Sequence, residues 1–302
     1  MYEENQGPID SLVHLYVDGG FNRRELVRRV AKYTGSVATA LATLRGYEAW
    51  GQSSTPCPAD VRVPADAPDL VTSDVRFTGT DGAALMGYMA YPKNASDPYL
   101  PGVMVIHENR GLVDHIKDVT RRAARAGFVA FAPDLLSRQG GVGQFPDAAQ
   151  QSAAYNRTTP AERQADLIST LSYMKALPNI VFNRIGVVGF CAGGGNVWNM
   201  VLAAPELAAA VPYYGTPVPP LDRIAGIATP VLAMYAETDR NLTRSMAPVM
   251  DAMIQQQKTF GMVVYQGAAH AFHNDTGAAY NAEAACDAWA RTIAWFNKHL
   301  RK

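Results

Sequence analysis

Gly189-Phe190-Cys191-Ala192-Gly193-Gly194 is the stretch that decides how this chain folds. An apolar, strand-like run (Ile185, Val187, Val188) precedes it, and a helix-like run (Asn196 to Leu202) follows. Strand, sharp turn and helix is the context of a nucleophile elbow, G-x-S-x-G, here with cysteine in the serine position. Glycines two residues to either side of Cys191 are needed because a side chain would clash in so tight a turn. The strained turn lifts the nucleophile clear of the sheet. The start of the next helix aims backbone N–H groups at an anion, which favours both a thiolate and an oxyanion. A cysteine so placed is expected to be reactive rather than inert.

Two further residues fall in order downstream. Asp239 closes Val231-Leu232-Ala233-Met234-Tyr235-Ala236-Glu237-Thr238-Asp239, an apolar strand that runs into a polar turn. His270 lies in Gln266-Gly267-Ala268-Ala269-His270-Ala271-Phe272, just after the strand-like run Gly261 to Tyr265. Taken singly, an aspartate after a strand is commonly a turn or cap residue, and a lone histidine is commonly structural. Nucleophile, acid and base in that chain order, each at a strand's C-terminal end, is the order of the α/β-hydrolases.

The elements around them alternate. A hairpin is expected from Val71 to Phe77 and Ala83 to Tyr91, turning at Thr80-Asp81-Gly82. Gly102 to Ile106 is a continuous apolar run, as in a buried strand. Strands are also expected at Phe128 to Ala132, Ile185 to Phe190, Ala208 to Tyr214, Val231 to Tyr235 and Met262 to Tyr265. Helices are expected at Asp114 to Ala126, Ala161 to Leu177 and Asn281 to Leu300. Such alternation predicts an α/β fold, a mostly parallel central sheet flanked by helices on both faces. Ligands bind such a sheet beyond the carboxyl ends of its strands, where Cys191, Asp239 and His270 all fall.

On His107-Glu108-Asn109-Arg110-Gly111-Leu112, Pro133-Asp134-Leu135, the Cys191 elbow, Asp239 and Gly267-Ala268-Ala269-His270-Ala271-Phe272, the chain resembles the dienelactone hydrolase family of α/β-hydrolases. The resemblance spans residues from about 70 to 302. It implies ester or lactone hydrolysis through a Cys191–His270–Asp239 triad and a thioester acyl-enzyme, without cofactor or metal, on a small-molecule substrate. Within the fold it implies an oxyanion hole formed by the N–H groups of Ala192 and Asn109. It also implies that Glu108 contacts the resting thiol and moves away when substrate binds. Arg138, in Asp134-Leu135-Leu136-Ser137-Arg138, matches a position that binds the substrate carboxylate, a role suited to a bidentate guanidinium. At the family's second such arginine this chain has Asn274, a departure that favours a neutral ester and a broader carboxylesterase. Tyr214, before Gly215 at a strand end, is a candidate pocket residue, with core packing as the alternative.

Other readings are weaker. His270 and His273 could be metal ligands by type. His107-Glu108 lacks the second histidine of H-E-x-x-H, because position 111 is glycine. The elbow's glycine spacing is wrong for a dinucleotide fingerprint. Outside enzymes, the alternative is a thiol-dependent binding or redox-responsive protein. The 27 basic and 27 acidic residues cancel, so nucleic acid is not an expected partner. Three scattered cysteines, Cys57, Cys191 and Cys286, do not form a disulfide framework and fit a reducing, cytoplasmic setting. A monomer or homodimer is expected.

Residues 1–50 are expected to form a helical extension, with helices at 9–18 and 22–49, and 51–69 a Pro/Ser/Ala-rich linker before the 70–302 domain. Asn22-Arg23-Arg24-Glu25-Leu26-Val27-Arg28-Arg29 resembles a degenerate twin-arginine export motif, which leaves export open. The stretch that follows, Val30 to Leu44, is too polar for a good signal core or a membrane span.

Overall fold

An eight-stranded sheet carries this protein, in the order β1-β2-β4-β3-β5-β6-β7-β8. The computed structural model describes residues 23–37 and 61–301. The strands are β1 (Leu70–Thr78), β2 (Ala84–Pro92), β3 (Leu100–Ile106), β4 (Val129–Pro133), β5 (Ile180–Phe190), β6 (Ala209–Tyr213), β7 (Val231–Ala236) and β8 (Phe260–Tyr265). The first two strands form an antiparallel hairpin, and β2 pairs antiparallel with β4. From β4 through β8 every neighbouring pair is parallel.

The helices are α1 (Arg23–Thr34), α2 (Asp114–Arg125), α3 (Ala148–Arg157), α4 (Pro160–Ala176), α5 (Ala192–Ala203), α6 (Arg240–Gln255) and α7 (Ala282–Leu300). Strand side chains alternate between two cores, as the period of two requires. On β3, Val103 and Val105 face Ile116, Val119 and Phe296 of α2 and α7. Met104 and Ile106 face the other way, toward Leu171, Val197 and Met246 of α4, α5 and α6. Burial on both faces explains why these strands read as unbroken apolar runs.

Several expectations change in detail. Two helices had no expected counterpart. The run of α3 is short and polar, with Asp147 capping its first turn through Gln150 N–H (2.8 Å). In α6, Pro248 lies inside the helix and reads as a breaker in sequence. The helix expected over 22–49 is described as Arg23–Thr34, ending at Gly35 (φ 79°), a left-handed residue that turns the chain out of the helix. The helix expected at 9–18, residues 38–49 and the Cys57 segment lie outside the described residues. The expected 51–69 linker is in part not a linker. Val63 and Ala67 are buried in the core beside α2, and Val63 N–H donates to Asp118 (2.7 Å) while its carbonyl accepts from Arg121 Nε (2.6 Å). The compact unit holding the sheet runs from Cys57 to Lys302. Among the described residues no helix is long and apolar enough to cross a membrane.

Register positions the functional loops. Ile106 on β3 pairs with Gly189 on β5, so the loop after β3 and the turn after β5 leave the sheet side by side. The strand order reverses here, with β4 on one side of β3 and β5 on the other, and crevices open at such switch points. Ala236 pairs with Tyr265, which sets the loops of Asp239 and His270 beside each other.

Candidate active site

Cys191 sits between β5 and α5 with φ 55° and ψ −118°, a conformation costly for any residue with a side chain. Its N–H donates to Tyr213 O of β6 (3.1 Å), which helps to hold the turn. Glycine is required on both sides. A Cβ on Gly189 would lie 2.6 Å from the Gly193 carbonyl carbon, and one on Gly193 would lie 2.5 Å from His107 O. Cys191 is half-buried with a free thiol, and Ala192 is the first residue of α5. A helix's first N–H groups have no acceptor within the helix, and Ala192 carries one of them.

Asp239, at the N-terminus of α6, and His270, after β8, meet with Nδ1 to Oδ2 at 2.6 Å. The Cys191 side chain, helped by Asp239 and opposed by partial burial, pushes the His270 pKa up to about 9. Cys191, His270 and Asp239, expected from three separate strand ends, are therefore brought to one site.

Glu108 is buried and accepts from Asn274 Nδ2 at 2.7 Å. The Asn274 amide cannot flip, because its Oδ1 accepts both the N–H (3.0 Å) and the hydroxyl (2.7 Å) of Thr276. Tyr214 is fully buried with φ 36°, and its ring lies 5.0 Å from that of His270. Burial first, and then the charges of Glu108 and Cys191, drive its hydroxyl pKa well up. Asn109 follows at the mouth of the β3 loop, half-buried.

Arg138 is placed differently from its expectation. Its Nε (2.9 Å) and Nη2 (2.7 Å) both donate to Asp166 of α4, and Nη2 also donates to Asp81 (2.5 Å) in the hairpin turn. Two carboxylates already neutralise it, and together they hold its pKa above the ordinary arginine value. Releasing Asp166, which is 4% exposed, would strand a buried charge at a cost of about 3–5 kcal/mol. Asn274, at the second expected position, is likewise engaged with Glu108.

His273 does not join His270 as a ligand. It is stacked on Phe190 (centroids 4.8 Å) in the core, and burial keeps it neutral. Elsewhere His115, Asp118 and Asp275 bring ligand atoms within 4.8 Å of one another, beside a cavity of about 400 Å³. Arg122 occupies the cation position, pairing with Asp118 and with Asp275 (2.6 Å), so the donor set does not suit a metal.

The fold also brings in Tyr155, which no motif marked, and gives His107 a place. Tyr155 of the unexpected α3 accepts from Asn196 Nδ2 of α5 (3.0 Å), and burial, with the Cys191 charge adding, pushes its hydroxyl pKa up. His107 joins the β3 loop to the β4 loop, its ring bonded to Glu108 O (2.5 Å) and Leu135 N (3.0 Å).

Residues 85–300 match the model of the dienelactone hydrolase family. A Methylorubrum extorquens AM1 protein provisionally named carboxymethylenebutenolidase is 32% identical over 274 residues, covering 87% of this chain and 91% of its own. A Klebsiella pneumoniae structure described as a dienelactone hydrolase is 31% identical with TM-score 0.68, covering 76% of this chain and 99% of its own. A metagenomic structure, the dienelactone hydrolase-like promiscuous phosphotriesterase P91, is 26% identical with TM-score 0.67, over 76% and 99% of the two chains. The match spans most of the sheet and includes Cys191, Asp239 and His270, on the α/β-hydrolase strand order, and the protein belongs to the dienelactone hydrolase family.

Proposed function

We propose that this hydrolase cleaves carboxylic esters or lactones through Cys191, His270 and Asp239 and a thioester acyl-enzyme. The observation that carries the reading is the Asp239–His270 hydrogen bond on an imidazole whose pKa the Cys191 side chain raises. A free thiol is only a few per cent ionised near neutral pH, so an imidazolium beside it is what makes the thiolate available. The thiolate adds to the ester carbonyl carbon, and the oxygen takes the electron pair as an oxyanion. The N–H groups of Ala192 and Asn109 stabilise that charge, a contribution worth about 10²–10³ in rate per donor. The tetrahedral adduct collapses to the thioester as His270 hands its proton to the departing alkoxide. Neutral His270 then takes a proton from water, whose oxygen attacks the thioester. The acid leaves, the thiolate returns, and Asp239 holds the imidazole tautomer throughout.

Glu108 acts as the gate. The family resemblance implies that this buried carboxylate, here held by Asn274, stands against the resting thiol and moves away when substrate binds. Glu108→Gln is expected to raise the alkylation rate of the resting thiol, and an unchanged rate would sink the gate. The triad itself is tested by Cys191→Ala, expected to abolish ester turnover, together with mass spectrometry of the wild type on a slow ester, expected to show an acyl group on Cys191. Turnover that survives Cys191→Ala overturns the mechanism.

A broader carboxylesterase acting on neutral esters is favoured by one specific observation: the guanidinium of Arg138 is already shared between Asp166 and Asp81. The ratio of kcat/KM for a carboxylate-bearing dienelactone and a small neutral aryl ester decides between the two. Preference for the aryl ester is expected, and strong preference for the lactone would mean that the Arg138 ion pairs yield to substrate.

A further inference from the structure

The HEN and PDL segments, remote in sequence, are joined by the ring of His107, a fully buried side chain that the chemistry above does not use. Its tautomer follows from its partners. Leu135 N–H can only donate, so Nε2, at 3.0 Å, must be the bare acceptor nitrogen. The proton is therefore on Nδ1, which donates to the Glu108 carbonyl at 2.5 Å. Burial lowers the ring's pKa, which favours the neutral ring that this arrangement requires.

The Glu108 carbonyl and the Asn109 N–H belong to one planar trans peptide and point in opposite directions. Pinning the oxygen to His107 therefore sets where the N–H points. Accepting that bond also polarises the amide and makes its N–H a better donor. Among the described residues, the Asn109 N–H has no acceptor in the protein. A donor aimed by a buried pin and left unused is one reserved for a ligand atom.

From this we infer that His107 is a positioning residue for the oxyanion hole: its Nδ1–H fixes the Glu108–Asn109 peptide so that the Asn109 N–H is aimed at the oxyanion formed on Cys191. The inference rests on the triad mechanism proposed above. It also accounts for the tie between β3 and β4 loops, since the Leu135 N–H locks the ring from behind and prevents it from rotating away.

Two substitutions separate aiming from simple bracing. Asparagine places an N–H near the Nδ1 position and keeps the bond to the Glu108 carbonyl, but it cannot reach Leu135. Glutamine places an acceptor near the Nε2 position and keeps Leu135, but it loses the donor to Glu108. Expected for His107→Gln is a kcat on an aryl ester lowered about 10- to 100-fold, with KM changed little, as for a misaimed oxyanion donor. Expected for His107→Asn is a kcat within about threefold of wild type. Alkylation of Cys191 by iodoacetamide, a displacement at carbon that forms no oxyanion, should stay within twofold in both. The inference is overturned if Asn is as slow as Gln or slower, or if alkylation falls in step with kcat. Cys191→Ala is run in parallel: surviving turnover there removes the triad mechanism, while its loss together with equal Asn and Gln rates removes only the His107 role. Should either variant fail to fold, nitrogen NMR of the wild-type ring decides. A neutral Nδ1–H tautomer at pH 7 and above supports the assignment, and an Nε2–H tautomer overturns it.

Discussion

At the scale of single residues, His270 carries the testable electrostatics. Cys191 and Asp239 outweigh burial and hold the imidazole protonated up to about pH 9. A group whose pKa is raised on folding adds stability that is full below its unfolded value, near 6.5, and is lost as pH rises through the folded value. The His270 contribution is therefore present below about pH 6.5 and disappears toward pH 9. Asp239→Asn is expected to bring the His270 titration, followed by NMR of the ring, down from about 9 toward the ordinary histidine range. A midpoint that stays in place would mean that Cys191 alone sustains the shift. The residues of this site were readable in sequence because each follows an apolar strand. Their distances were not, since Cys191 and His270 are separated by 79 positions and meet only through sheet register.

At the scale of elements, the β5–Cys191–α5 elbow is the part whose sequence and geometry agree most closely. Glycine at 193 is dictated by the approach of α5 to the carbonyls of Ile106 and His107 at the end of β3. Gly193→Ala forces those backbones apart and is expected to cost about 1–3 kcal/mol in urea unfolding, the usual range for overpacking. It should also lower kcat, because the same displacement moves the Ala192 and Asn109 N–H groups. Unchanged stability would mean that the elbow has slack that these contacts do not show. The helices that escaped the sequence reading have local reasons. Few apolar residues mark α3, and α6 continues through Pro248 because its Met246, Val249 and Met253 face is held in the core. Tertiary packing there overrides a local breaker.

At the scale of the whole molecule, the loop that carries His270 and Asn274 is tied to α2 through Asp275. That carboxylate takes Arg122 (2.6 Å), His115 (3.1 Å) and Arg62 (3.1 Å), and Arg122 also holds Asp118. Burial opposes its ionisation, but these partners prevail and hold its pKa far below the usual carboxylate range. A depressed carboxylate adds stability that is full above its unfolded pKa, near 3.9, and is lost as pH falls through the folded value. Asp275→Asn is thus expected to cost on the order of 3 kcal/mol near neutral pH. Its gap from wild type should narrow as pH drops below about 4 in denaturant titrations. A gap that stays constant down the acid limb would show that shape rather than charge ties the loop.

By itself the sequence determined the alternation of strands and helices, the elbow and the order of nucleophile, acid and base. These depend on side-chain periodicity and on glycines that sit next to the residues they serve. Only the tertiary structure decided that Arg138 is bound by Asp166 and Asp81, that Asn274 holds Glu108, and that His107 pins the peptide before Asn109. The first two join residues from different strand ends or from a strand end and a helix, and the His107 ring is held in place by Leu135 N–H, 28 positions away. A hydrogen bond is directional over about 3 Å, and nothing in local sequence records which distant partner will be that close.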